Sequence, residues 1–384
     1  VIVTPKRAGG IGVVALGLIL FLPARPAPAC PFCTTLRPTL AQQIARADMA
    51  LLGDVVAADD SSWKLRVQRA LKASDETGAG HSLEIANKST DGNHPASGEL
   101  LLALGSRKGK SPAFWTSVAL DEASFGYVAR SPLAPAPASK RLMYFLPFLE
   151  HSDPLIADDA YLEFAHAPFD EVGQLAGRLP VDRLRDWLAD ETVPPDRKGL
   201  YGLLLGLAAL AQGRDEIADD FWRWINAPGN DFRSGFDGVL GGYLWIGKSE
   251  GLARLEKRYL DDPRARVGDV RHLLTAMRVY HDFGHDIGPD ELTRAYRKFL
   301  GNSAVAALAI GDLGRWHDWQ SLDRVASLFA QPSYDDPATE RAVIGYLLAC
   351  PLPEAAGHVA RLRKLVPDRV AEAERLEQAT SSGK

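Results

Sequence analysis

Phe145-Leu146-Pro147-Phe148-Leu149-Glu150-His151-Ser152-Asp153-Pro154-Leu155-Ile156-Ala157-Asp158-Asp159-Ala160-Tyr161-Leu162-Glu163-Phe164-Ala165 is the stretch on which the fold of this 384-residue chain turns. An apolar helical segment, Lys140 to Glu150, runs into a polar turn that ends in Asp153-Pro154. Asp accepts hydrogen bonds from the unpaired N–H groups at a helix start, and Pro at the first helical position has no N–H to leave unpaired. The pattern predicts a second helix from Leu155 to Ala165, with Leu155, Ile156, Asp159, Ala160 and Phe164 on its inner stripe. One such hairpin cannot bury its own apolar side, so further pairs are expected to stack on it.

Helix starts bearing Asp, Asn or Pro at or beside the cap recur near Pro154, Asp196, Asp237, Asp269, Asn302 and Pro337, at intervals of about 30 to 40 residues. Partner helices are expected near Val181, Arg214, Lys248, Pro289, Asp318 and Glu354. Leu200 to Leu210 is apolar all round, which places it centrally, and Gly202 and Gly206 would let a neighbour approach closely. Asp368 to Ala379 is heavily charged with a narrow apolar stripe, as a closing helix should be. The opening segment closely resembles the HEAT repeat in its apolar helix, D-P turn, β-branched residue early in the second helix and inner-face Ala. The resemblance implies an α-solenoid of HEAT-like helix pairs over residues 139–384.

Upstream, Ser131 to Ser139 is rich in Pro and Ala and reads as an extended linker, 131–138. Before it, a short helix over Pro38 to Ala47 precedes strand candidates Met49 to Ala57, Trp63 to Leu71, His81 to Ala86 and Gly98 to Leu104, with a loop from Asn87 to Ser97. Four or five strands without covering helices leave open edges, so closure into a barrel is expected. The run from this helix through ADMALLGDVV, RALKA and GELLLAL resembles the OB-like netrin module shared with tissue inhibitors of metalloproteinases, over about 70 residues. That family's later cysteines are absent, so protease inhibition is not carried over. The expected fold class is α+β multidomain, an OB-like all-β barrel over 30–130 followed by the α-solenoid. The chain as a whole resembles an uncharacterised family of exported bacterial proteins, a resemblance that supplies architecture without activity.

Residues 1–29 read as an export signal: Lys6 and Arg7, the apolar run Ile11 to Leu22, and small residues at Ala27 and Ala29 before the cleavage point. An exported (periplasmic, cell-envelope or secreted) protein is expected. Cleavage would leave Cys30 first; soluble export is the main reading, with a lipid anchor at Cys30 the alternative and the sole expected route to a membrane.

Cys30-Pro31-Phe32-Cys33 has the spacing of a redox dithiol, but no strand precedes it as in thioredoxin-like proteins, Thr34 stands where a c-type haem needs His, and no second ligand pair completes a zinc site. A short N-terminal disulfide is the main expectation and a redox role the alternative. Cys350, the third cysteine, ends an apolar helix.

With 46% hydrophobic and 24% charged residues and a net charge of −5, the composition is that of an ordinary folded protein and argues against a nucleic-acid binder. Gly105-Ser106-Arg107-Lys108-Gly109-Lys110-Ser111 has three residues between its glycines where a phosphate loop needs four, and reads as a basic hairpin tip. His281 and His285, with Asp286, have a spacing that holds a metal on a helix, although Gly284 interrupts it and no Glu follows His281 to act as a base. Trp222 and Trp224 with Arg223, and Trp316 and Trp319 with Arg315, are core aromatics or, on an exposed face, anchors for a protein partner. No Ser/His/Asp grouping or nucleophile elbow stands out, so a non-catalytic binding protein without cofactor is expected, with a thiol–disulfide protein acting through Cys30 and Cys33 as the alternative.

Overall fold

A computed structural model describes residues 30–33, 37–72, 78–86, 95–108, 111–133, 136–228 and 233–382. The expected export signal, most of the loop after Ala86, and the basic tip at Gly109 and Lys110 lie outside the described residues.

Helix α1 (Leu40–Arg46) leads into strands β1 (Met49–Ala58), β2 (Ser62–Lys72), β3 (Ser82–Ala86), β4 (Leu100–Lys108) and β5 (Ser111–Leu120), and α2 (Glu122–Arg130) follows. The strands form one antiparallel sheet in the order β3-β2-β1-β4-β5. On β2, Trp63, Leu65 and Val67 are buried and Lys64, Arg66 and Gln68 exposed, as the alternation requires. β1 and β4 are apolar on both faces. Ala50, Leu52, Leu102 and Leu104 join the core of the helical region, while Met49, Leu51, Val55, Leu101 and Ala103 form a second core with Trp63, Leu65, Val67 and Ile85.

The expected barrel is not formed: β3 and β5 are the edges of an open sheet. That expectation assumed strands with no helices over them, and it passed over β5 and α2. α2 packs on β4 and β5, and the helical region covers the same side, so the apolar face is buried without closure. Register shifts interrupt the β1–β2 pairing; at one of them a Cβ on Gly53 would lie 3.0 Å from the Arg66 carbonyl carbon.

The helical region comprises α3 (Ala138–Phe145), α4 (Pro154–Ala165), α5 (Phe169–Gly173), α6 (Val181–Ala189), α7 (Pro195–Gln212), α8 (Ile217–Asn226), α9 (Phe236–Leu255), α10 (Val267–Phe283), α11 (Pro289–Tyr296), α12 (Ser303–Arg315), α13 (Leu322–Leu328), α14 (Pro337–Ala349), α15 (Pro353–Leu365) and α16 (Pro367–Ser382). Asp153, Asn302 and Asp336 accept the first backbone N–H groups of α4, α12 and α14. Helices α7, α9, α10, α12, α14 and α16 pack each against the next, and α6, α8, α11, α13 and α15 lie against members of that row.

Two backbone features set this packing. Along the α7–α9 contact, Gly202 and Gly206 face Gly238 and Gly242, and a Cβ on Gly202 would lie 2.7 Å from the Gly238 carbonyl oxygen. Within α9, Lys248 (φ 49°, ψ −140°) breaks the helix. A Cβ on Gly251 would lie 3.5 Å from the carbonyl oxygen of Tyr243, eight residues back, where a straight helix would separate them by about 12 Å, so the chain doubles back at Lys248. The partner helix expected there begins at this turn. Such a backbone costs a non-glycine residue about 1–3 kcal/mol, so Lys248→Gly is expected to raise stability by about 1 kcal/mol after the entropic cost of glycine. A urea midpoint that moves up with unchanged slope is the expected result; one that moves down would show that the lysine side chain outweighs the strain.

The segment before the sheet is part of the helical core. Cys30 N–H donates to Ala165 O (2.8 Å), Leu40 N–H to Asp159 Oδ1 (2.6 Å), and Phe32 is 2% exposed. Tyr127 of α2 donates its hydroxyl to Asp159 Oδ2 (2.7 Å).

Candidate functional site

The C-terminal end of α12 builds one of two candidate sites. His317 takes the left-handed conformation (φ 58°), which lets Asp318 N–H donate to Leu313 O (2.9 Å) and His317 N–H to Gly314 O (3.1 Å). A short 3₁₀ turn, Trp319–Ser321, follows. This tight reversal puts Trp316 and Trp319 into the lining of one open cleft of about 470 Å³, together with His281, Asp290, Thr293 and Arg297.

Both tryptophans are half-buried and held from behind. His281 stacks on Trp316 at 3.7 Å and Tyr296 meets it edge-on at 4.5 Å; Tyr346 meets Trp319 edge-on at 5.2 Å. Asp318 is buried, takes a hydrogen bond from Arg297 Nε (3.0 Å) and another from Ser321 (2.7 Å), and so fixes the arginine at the cleft. Arg315 pairs with Asp282 (3.0 Å) and joins the ends of α12 and α10. Aromatic edges beside a guanidinium and a threonine hydroxyl suit binding, with apolar contact and a few directed hydrogen bonds.

Trp222 and Trp224 have other neighbours. Trp222 packs on Tyr243 beneath the Arg254 guanidinium (4.0 Å), Trp224 meets Phe221 edge-on, and Arg223 pairs with Asp220. The structure does not bring His281, His285 and Asp286 to a common point. α10 ends at Phe283 and Gly284 is extended, so His285 is not one helical turn beyond His281, and Asp286 lies 4.0 Å from Lys248. Among the described residues no group of three metal-ligating side chains is found.

The second candidate surrounds Cys30-Pro31-Phe32-Cys33. Cys33 N–H donates to Cys30 O (3.3 Å), a turn that brings the two cysteines together, with Tyr161 of α4 near the Cys33 thiol. Both sulfurs are thiols in this structure. The neighbouring Cys30 and burial push the Cys33 thiol up, and the charge of Asp237 adds to the effect. Asp237, at the start of α9, is itself raised by burial, and His272 Nδ1 lies 4.0 Å from it. Tyr161 and His272 were not singled out in the sequence, and Asp237 only as a helix start. No local signal links them to the cysteines, because they come from three helices.

Comparison with known proteins finds no matching family model, no matching curated protein and no matching solved structure.

Proposed function

We propose that this chain is an exported, non-catalytic binding or scaffold protein, whose helices form a HEAT-like α-solenoid and present the Trp316–Trp319 cleft to a protein partner. The observation that carries the reading is that both tryptophans line one open cleft while Tyr296 and Tyr346 hold them from behind. Anchors already locked in place lose little side-chain freedom on binding, so more of their contact energy appears as affinity. The single row of successive helix contacts, with alternate helices beside it, supports the solenoid part of the reading. A lipid on Cys30 is no part of it. Cys30 is 7% exposed and belongs to the helical core, which an acylated sulfur would have to leave.

Trp319→Ala is the test. Trp319 is half-exposed at the cleft, so its loss leaves the main core intact, and binding is expected to weaken by about 2 kcal/mol, or roughly 30-fold. Capture of a partner from envelope extract, followed by titration with that partner, should show the loss for Trp319→Ala and not for Trp222→Ala. Equal binding by wild type and Trp319→Ala would sink the proposal. Point variants are preferable to truncation at Ser139, which would strip Phe32, Leu40 and Tyr127 from the helical core.

A further inference from the structure

We propose that Cys30 and Cys33 are a disulfide-forming pair, and that closing the bond locks the Phe32 wedge between α7 and α9. The geometry has three parts. The Cys33 N–H to Cys30 O bond closes a turn that brings the two cysteines close together along the chain. Between them, Phe32 fills the helical seam: its ring lies 2.7 Å from where a Cβ would stand on Gly241 of α9, and its carbonyl oxygen 3.2 Å from the same point on Gly199 of α7. Cys30 is buried and pinned to the end of α4, whereas Cys33 is half-buried, so the attack on an external reagent is assigned to Cys33.

The co-reactant is a low-molecular-weight disulfide. The Cys33 thiolate attacks one of its sulfurs, forming a mixed disulfide and expelling one small thiolate. Cys30 then attacks the Cys33 sulfur, the Cys30–Cys33 bond forms, and the second small thiolate leaves. Two electrons pass from the dithiol to the reagent, and its two thiolates take up the two protons. The raised Cys33 thiol supports a role as a clasp over one as a fast exchange catalyst, since a poor thiolate attacks slowly and leaves slowly.

The experiment uses the full chain, incubated with oxidised glutathione, then alkylated and mapped by peptide mass. The expected product has lost two hydrogens, about 2 Da, across Cys30 and Cys33, leaves Cys350 alkylated, and persists when reduced glutathione is in roughly tenfold excess. Hydrogen exchange then compares the oxidised and reduced chains. Amides of residues 30–33 and 37–40 and of the facing turns of α7 and α9 are expected to exchange at least roughly tenfold more slowly when oxidised. Two free thiols at Cys30 and Cys33, or a lasting glutathione adduct at Cys33, would overturn the pairing. A bond that forms but leaves exchange unchanged would overturn the lock. Neither reading uses a substituted protein, so a variant that fails to fold cannot blur the result.

Discussion

Gly202→Ala and Gly206→Ala are each expected to destabilise the protein by about 3 kcal/mol, the upper end of the cost of overpacking a filled interior. A methyl group on Gly202 would stand 2.7 Å from the Gly238 carbonyl oxygen and 2.8 Å from Val239 Cα. Those are backbone atoms of α9, so no side chain can rotate away and the helices themselves must separate. Separation would also loosen Phe32, which sits at the same seam. Because one enlarged gap admits either methyl group, Gly202→Ala combined with Gly238→Ala should cost less than the sum of the two. Gly345→Ala on α14 is the contrast: a Cβ there meets nothing within 4 Å, and better helix propensity should stabilise by about 0.5–1 kcal/mol. Urea unfolding of the set decides. If Gly202→Ala is as harmless as Gly345→Ala, the close approach of α7 and α9 is wrong.

The second large effect is a pH dependence that Asp159→Asn should remove. Burial raises the Asp159 carboxyl to about 6, against the bonds from Leu40 N–H and Tyr127 O–H that favour its charged form. In the unfolded chain an aspartate titrates near 3.9, so between about pH 4 and 6 the folded state holds more protons than the unfolded one. Stability from this group therefore falls as pH rises through that window, by up to about 3 kcal/mol in all. Asp237, also raised by burial, adds to the same trend, and Asp54, lowered by Arg66, opposes it, so the informative quantity is the difference between wild type and variant. Asparagine keeps an oxygen to accept from Leu40 or Tyr127 and carries no charge. Asp159→Asn should gain on the wild type as pH climbs from 4 to 7, whereas Asp159→Ala should lose at pH 5, with two buried donors unpartnered at about 1–3 kcal/mol each. Parallel curves for wild type and Asp159→Asn would show that the carboxyl titrates normally.

Much of the helical region was legible because its signals are local. Asp153-Pro154, Asn302 and Asp336-Pro337 mark helix starts through bonds that reach two or three residues along the chain, and the break at Lys248 coincides with an expected start. Gly202 and Gly206 carried their meaning in their spacing. The sheet was half legible: β2 alternates and was read in register, whereas β5 and α2 were passed over and the barrel was inferred from their omission. The His281 spacing carried its own exception in Gly284, and α10 does end there, so His285 lies beyond the helix.

From the amino-acid order alone came the α+β class, the positions of most helices and the close-packing glycines, all governed by caps, periodicity and side-chain size within a few residues. Tertiary structure alone decided that the sheet stays open, that Trp316 and Trp319 share a cleft apart from Trp222 and Trp224, and that Phe32 of the cysteine turn sits at the α7–α9 seam. These depend on burial and on contacts between residues tens to hundreds of positions apart, which no local pattern encodes.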